Sequence, residues 1–437
     1  MRETEWSDES KRWTFGTLKE VVSEVPKGPD TIALHGGLPP EESFPIQSIK
    51  IKLYNDEIVE IPASMSQQQY NINAYGYEPL RAWCQDHTKS QHTCCSMHRT
   101  MVTDSTTHAL DVVTSLLLNP GDAILIEEFT YSHFIDCTVD RKEYQSLAVP
   151  MDNDGIIPDE LERIIEKQLS SKVNGTECNG VHSRAIPKVL YLIPTAQNPT
   201  GGSLPKDRRA DIYRICQKYD IYIIEDDPYY YLQYALDESE LAQPGLSGLE
   251  SHSLLPLDED GRVIRLDSFA KFLAPGFRLG WATASERIIE KLAMQIQSET
   301  LGGNMMSQSI VAAMMEHWGY HGLEAYVRRM QKLYSDKAAL TLHSLEKHMK
   351  DLAEWRIPTG GMFMWLKLLH VSDAHDVFIS LRKQGIIVLP GYISQVEKYR
   401  DGNRIPCPYI RISFSHASHA ALQHGIERMS SILRSHQ

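Results

Sequence analysis

A chain of 437 residues with 42% hydrophobic and 23% charged residues holds enough apolar material for a large core, which excludes a disordered, collagen-like or disulfide-stapled protein. Its 44 basic and 57 acidic residues leave a formal net charge of −13, which excludes a broad nucleic-acid-tracking surface but leaves room for a local basic pocket. Seven scattered cysteines without a Cys-x-x-Cys pair, a charged opening and no run near the ~18 apolar residues of a membrane span predict a soluble, cytoplasmic protein with reduced thiols.

Short apolar or β-branched runs then recur and read as strands. They are Thr31-Ile-Ala-Leu34, Met101-Val-Thr103, Asp122-Ala-Ile-Leu-Ile126, Lys188-Val-Leu-Tyr-Leu-Ile193, Ile221-Tyr-Ile-Ile224, Arg262-Val-Ile-Arg-Leu266 and Leu279-Gly-Trp-Ala-Thr283. Segments with helical spacing separate several of them, including 107–118, 158–169 and 206–218. This alternation predicts an α/β fold with a mainly parallel sheet covered on both faces. From 286 to about 350 the pattern is helical, broken only by Gly302-Gly303, Gly319 and Gly322. Gly361-Met-Phe-Met-Trp-Leu366 and Tyr409-Ile-Arg-Ile-Ser-Phe414 alternate like strands of a smaller C-terminal α/β layer. Two polar stretches, 170–185 and 236–260, read as surface loops; the sequon Asn174-Gly-Thr176 lies in the first.

In open α/β sheets ligands gather at the carboxyl ends of strands, so the residues just after these runs are the candidates for chemistry. Four clusters stand there: Asn198-Pro-Thr-Gly201, Asp226-Asp-Pro-Tyr229, Ser268-Phe-Ala-Lys271 with Arg278, and Tyr409-Ile-Arg411. In order and spacing the sequence resembles the fold type I, pyridoxal-phosphate-dependent aminotransferases of class I/II. The branch it resembles most is that of aromatic and α-aminoadipate (kynurenine) aminotransferases. Gly36-Gly-Leu-Pro39, Ile223-Ile-Glu-Asp-Asp-Pro-Tyr-Tyr230 and Gly261-Arg-Val-Ile-Arg265 fix the register, from about residue 26 to the C-terminus. The resemblance implies a large domain with a mainly parallel seven-stranded sheet and a smaller α/β domain. Its domain boundaries would be an N-terminal arm and part of the small domain over 1–60, the large cofactor-binding domain over 61–335, and the small domain over 336–437. It also implies a homodimer with active sites at the subunit interface.

Residue roles follow from the same resemblance, each with a chemical reason. Lys271 would link covalently to the aldehyde of pyridoxal 5'-phosphate and act as the base once substrate displaces it; its apolar neighbours Phe269, Ala270, Phe272 and Leu273 suit a reactive amine. Asp226 would keep the proton on the pyridine nitrogen, while Asp227, next on an extended backbone, points the other way. Tyr229 and Asn198 would bond the phenolic oxygen of the cofactor, although turn geometry alone would also call for Asn-Pro-Thr-Gly. For the phosphate, the resemblance offers Ser105, Thr106 and Thr107 at a helix start, Ser268, Arg278, and Tyr70 from the neighbouring subunit. Tyr131 would stack on the ring. Arg411 would grip the substrate α-carboxylate through its planar fork, with Gly37 and Asn198 also touching substrate.

Two departures from the family pattern bear on this. The family's Ser-Gly-Ser-Gln turn reads Asp104-Ser-Thr-Thr107 here, which puts Ser105 where a glycine can hold a positive φ. Ala270 replaces a serine before the lysine, a lost hydroxyl worth ~1–3 kcal/mol if uncompensated. In the opening segment, Arg12 is the candidate handle for a distal substrate carboxylate, while Trp13 and Phe15 favour an aromatic one. The histidines at 317 and 321 have the spacing but not the order of a zinc protease motif, so no metal is expected; His133 reads as a loop histidine and Cys94-Cys95 as surface thiols. The resulting expectation is an aminotransferase moving the amino group of an aromatic amino acid to a 2-oxo acid. The alternatives are an α-aminoadipate or kynurenine donor, or a β-eliminating or C–S lyase on the same scaffold. Neither a nucleic acid nor a membrane is expected as a partner.

Overall fold

From Met101 onward the strand runs fold as strands, with ends shifted by up to three residues. The structure, a computed structural model, describes residues 6–17, 32, 34, 37–70, 73–92, 96–173, 186–236, 245–400 and 402–435. Of the run beginning at Thr31 only Ile32 and Leu34 are described, and both are exposed and in no strand, which corrects that expectation: among the described residues nothing packs on their apolar side chains. Gly36, Cys94-Cys95, the sequon and most of the 170–185 stretch lie outside the described residues. Seven strands belong to one mixed sheet, the number expected. By compactness the chain divides into two units, Met1–Asn119 with Glu259–Leu323 and Pro120–Asp258 with Glu324–Gln437.

In the first unit, His98–Thr103, Gly280–Ser285 and Val263–Ser268 lie side by side, both pairings antiparallel. A parallel return needs a crossover of a dozen or more residues, usually a helix. The link from Ser268 to Gly280 offers only the short turn Pro275–Phe277, so this part departs from the parallel expectation. Helix Thr106–Leu117 buries Ala109, Leu110, Val113, Leu116 and Leu117. The opening segment docks beside it: the Ser7 and Ser10 hydroxyls donate to the carbonyls of Ser115 and Leu116. A hairpin of Ser48–Lys52 and Ile58–Pro62 completes the strands of this unit; only its second strand buries a face, which is why the sequence did not announce it. Helix continues from Met305 to His348 except at Gly319, whose φ of 52° and ψ of −161° break it. Gly322, also expected to interrupt, stays helical; a Cβ there would meet the Trp318 Cβ at 2.8 Å.

In the second unit, Tyr222–Asp227, Val189–Leu192, Ala123–Glu127 and Gln145–Val149 are all parallel. Every residue of the first three is buried, as the near-continuous apolar runs of a two-side-covered sheet require. Helices Pro158–Val173 and Lys206–Lys218 are the crossovers, the first with proline at its opening position, where no amide hydrogen is needed. A separate antiparallel sheet runs Ala353–Trp355, Phe363–Leu368, Tyr409–Ser413 and Leu389–Pro390. The expected surface loop 236–260 is corrected over 245–258: Leu246, Leu254 and Leu255 are buried and the Leu254 amide donates to the Glu225 carboxylate at 2.7 Å. Its leucines decide this against the polar composition around them. Among the described residues no helix is long and apolar enough to cross a membrane.

The anticipated strain at Ser105 is real. This residue caps helix Thr106–Leu117 with φ 89° and ψ 160°, a region that glycine enters and a Cβ resists. Its hydroxyl accepts weakly from the His108 amide at 3.4 Å. Ser105→Gly should therefore stabilise the protein by roughly 1 kcal/mol, since glycine at a cap costs only a few tenths while the strain costs ~1–3. Ser105→Ala keeps the strain, loses the cap and should destabilise by about 1 kcal/mol. Chemical denaturation of both variants checks this; a glycine variant no more stable than wild type contradicts it.

Candidate active site

In the first unit, the candidate phosphate donors stand at a helix start. Thr106 and Thr107 open a helix of 12 residues, whose first amides and dipole favour an anion. Gly280 lets the neighbouring strand approach this end: a Cβ would lie 2.6 Å from the Asp267 carbonyl oxygen and 3.2 Å from the Thr106 nitrogen. Ser268, at the carboxyl end of Val263–Ser268, is buried and its hydroxyl accepts from the Ala270 amide at 3.1 Å. Lys271 follows on the next turn, half-buried, with Phe269 and Phe272 buried beside it in sequence. Arg278 is exposed, in the left-handed conformation at φ 51°, with Nη1 donating to the Pro275 carbonyl at 3.3 Å. Tyr70 is 61% exposed and lines a cavity of about 410 Å³ with Gly302, Gly303 and Met305.

The opening segment is tied down rather than open. Lys291 Nζ donates to the carbonyls of Ser10 and Trp13 at 3.2 and 3.1 Å, and Trp13 is only 8% exposed. Arg12 is exposed, with Nη1 donating to the Asp8 carbonyl at 2.7 Å, and Gly37 is exposed too.

In the second unit hydrogen bonds join three of its five candidates, Arg411, Asn198 and Tyr229. Asp226 and Asp227 end strand Tyr222–Asp227 and take different partners, as alternation demands: Tyr191 Oη donates to Asp226 at 3.0 Å and Thr195 Oγ1 to Asp227 at 3.0 Å. Burial, reinforced by Asp226, holds the Tyr191 phenol well above its ordinary pKa, so it stays a donor. Tyr229 is likewise raised by burial, with Arg411 and a hydrogen bond to Asn198 pulling the other way. Arg411 Nη1 donates to Asn198 Oδ1 at 2.5 Å, and its guanidinium lies 4.0 Å from the centre of the Phe363 ring. Its Nε is buried with no hydrogen-bond partner among the described residues. Burial lowers its pKa, yet a guanidinium remains charged. Tyr131, half-buried, precedes the short helix Ser132–Phe134, and its ring sits 5.8 Å from that of exposed His133.

Sequence reasoning missed Tyr191, Gln197, Glu127 and Phe363. The Gln197 side chain donates to Glu127 at 2.9 Å and accepts from Thr200. Its place directly before Asn198 was the one available signal; Tyr191 reaches Asp226 from the next strand over, which only pairing reveals. His317 pairs with Glu57 at 3.0 Å, and the break at Gly319 separates it from His321.

The donor set fits pyridoxal phosphate: helix amides opened by Gly280 suit its phosphate, a carboxylate suits its ring nitrogen, and an orphaned guanidinium donor suits a substrate carboxylate. The profile described as aminotransferase class I and II matches residues 79–429. A kynurenine/alpha-aminoadipate aminotransferase, mitochondrial, from Bos taurus is 31% identical, the match covering 96% of this chain and 95% of that protein. The crystal structure of aminotransferase Aro8 from Candida albicans superposes with TM-score 0.85 and 26% identity, covering 98% of this chain and 97% of that one. The α-aminoadipate aminotransferase LysN from Thermus thermophilus, complexed with N-(5'-phosphopyridoxyl)-L-leucine, superposes with TM-score 0.67 and 25% identity, covering 83% and 82%. This chain belongs to the class I and II aminotransferases, fold type I enzymes whose cofactor is pyridoxal phosphate.

Proposed function

We propose that this enzyme moves the amino group of an aromatic amino acid, tryptophan, phenylalanine or tyrosine, to a 2-oxo acid by ping-pong exchange, as a homodimer. The observation that carries the reading is Arg411: a charged fork braced by Asn198, backed by the Phe363 ring, with a buried Nε donor left over. Two parallel bonds from such a fork would orient the substrate carboxylate. The edge-on pair of Tyr229 and Phe363, 5.9 Å apart, puts aromatic surface beside it. When bound, the cofactor supplies an electron-withdrawing ring for the charge released at the substrate Cα.

The chain's own residues do the rest in this proposal. Lys271 would hold the cofactor covalently, and its Nζ would carry the substrate Cα proton. Asp226, fixed by Tyr191, keeps a proton on the ring nitrogen. Tyr229 and Asn198 donate to the phenolic oxygen. The helix-start amides of Thr106 and Thr107, with Ser105, Ser268 and Arg278, hold the phosphate. Tyr131 stacks on the ring, and Tyr70, whose exposure leaves its hydroxyl available, reaches the phosphate of the second subunit.

Substrate class is the finer part of the proposal. The name of the bovine relative favours an α-aminoadipate or kynurenine donor as the second reading. A relative from Dictyostelium discoideum named aromatic amino acid aminotransferase, 28% identical over 91% of this chain and 81% of that protein, supports the first. Arg12, the candidate distal handle, already spends a donor on the Asp8 carbonyl. Burying an aromatic side chain contributes roughly 2–3 kcal/mol, whereas an unpaired distal carboxylate is penalised.

Three outcomes follow. Lys271→Ala should fold normally and lose the visible absorption of covalently held cofactor; borohydride trapping on another lysine contradicts the assignment. Arg411→Lys should raise KM for amino acids about tenfold or more while leaving cofactor affinity unchanged, because an ammonium has no fork; an unchanged KM for every amino acid contradicts it. Tryptophan or phenylalanine should exceed aminoadipate in kcat/KM, with Arg12→Ala changing little. A preference for aminoadipate that Arg12→Ala abolishes would overturn the aromatic reading.

A further inference from the structure

We propose that Glu127 is a positioning residue for this exchange: through Gln197 its buried carboxyl sets the turn that carries Asn198, and so the orientation of Arg411 toward the substrate carboxylate. The inference rests on the carboxylate-gripping role of Arg411 given above. Glu127 ends strand Ala123–Glu127 and is 1% exposed. One of its oxygens, Oε2, accepts from Gln197 Nε2 at 2.9 Å, the Ile193 amide at 3.2 Å and Thr130 Oγ1 at 3.4 Å. Gln197 is equally enclosed. Its Nε2 also donates to the Phe129 carbonyl at 2.6 Å, and its Oε1 accepts the Thr200 amide at 2.9 Å and hydroxyl at 2.8 Å. Its backbone closes the same turn, the amide donating to the Gly202 carbonyl at 2.7 Å and the carbonyl accepting from the Gly201 amide at 2.6 Å.

Asn198 therefore sits one covalent link from a side chain whose donor and acceptor ends are both anchored. Its own Oδ1 accepts from Arg411. A path of bonds thus runs from Glu127 through Gln197 and Asn198 to Arg411, all inside the second unit. Removing the Glu127 acceptor takes away one of the two bonds donated by the Gln197 side-chain nitrogen and leaves the Ile193 and Thr130 donors unsatisfied.

The charge environment distinguishes this carboxyl from filler. Burial pushes its pKa up to about 8, with Asp226 pushing the same way and the bonds from Gln197, Ile193 and Thr130 pulling down. The other titratable group facing it, Tyr191, stays a neutral phenol. Since the folded pKa lies above the unfolded one, the folded state binds the extra proton between pH ~4.5 and ~8, and stability falls as pH rises through that window.

The test compares Glu127→Ala and Glu127→Gln holoenzymes, each alone and with Arg411→Lys. Glu127→Ala should raise KM for the amino acid about tenfold with kcat changed less than about threefold and the cofactor still held. Glu127→Gln, which retains an acceptor oxygen, should restore KM to within about threefold of wild type. In the Arg411→Lys background the alanine change should add much less than it does alone, because both act on one grip. If the alanine variant does not fold, Thr200→Val, which loosens the other end of Gln197, should raise KM in the same direction. Independently, the thermal stability of wild type relative to Glu127→Gln should decline from pH 5 to 8 and level off above. An unchanged KM in the folded alanine or Thr200 variant, additive effects with Arg411→Lys, or a flat stability difference across pH overturns the inference. An Arg411→Lys enzyme with normal KM would instead sink the underlying reading of Arg411.

Discussion

The hydrogen bond from Arg411 to Asn198 joins two parts of the sequence that are 213 positions apart. Arg411 comes from an antiparallel strand of the C-terminal sheet, Asn198 from the turn after a parallel strand. A half-buried guanidinium against an aromatic ring is costly unless its desolvated donors are answered. One is answered by Asn198 and the ring face by Phe363. The buried Nε is the donor a substrate carboxylate would satisfy. In the proposed reading this bond would fix where substrate docks, and the turn at Asn198 would have to be rigid for it to do so.

That rigidity is built from polar groups in the core. Glu127, Gln197 and Thr200 form a closed network among buried strand ends, and Tyr191 and Thr195 separate the paired aspartates into distinct settings. Such networks are stable only when their members are satisfied, since an unanswered polar group costs ~1–3 kcal/mol. The strain at Ser105 belongs to the same economy of structure. A serine holds a conformation suited to glycine there, and the packed helix Thr106–Leu117 and Gly280 impose it.

The sequence was legible wherever one local pattern decides the outcome. The fully apolar strands, the crossover helices and the strand-end motifs could be read because burial on two faces and turn chemistry leave local signatures. So could the positive φ at Ser105, from the family glycine it replaces. What remained hidden depends on pairing between distant segments. The antiparallel set around Gly280–Ser285 is decided by a short link, and Tyr191 meets Asp226 only across a strand pair. The buried leucines at 254 and 255 were masked by polar neighbours. Trp13, read as facing substrate, is packed away with its carbonyl held by Lys291, a contact that sequence spacing does not encode.

The reading of Lys271, Asp226 and Arg411 as transfer machinery is separated from elimination chemistry by the fate of the amine. The decisive measurement mixes cofactor-loaded enzyme with phenylalanine in the absence of any oxo acid. Transfer predicts a single equivalent of phenylpyruvate per subunit, the nitrogen retained on the protein, and turnover resuming only when a 2-oxo acid is added. Continuous product formation with free ammonia and no need for an acceptor would contradict the account.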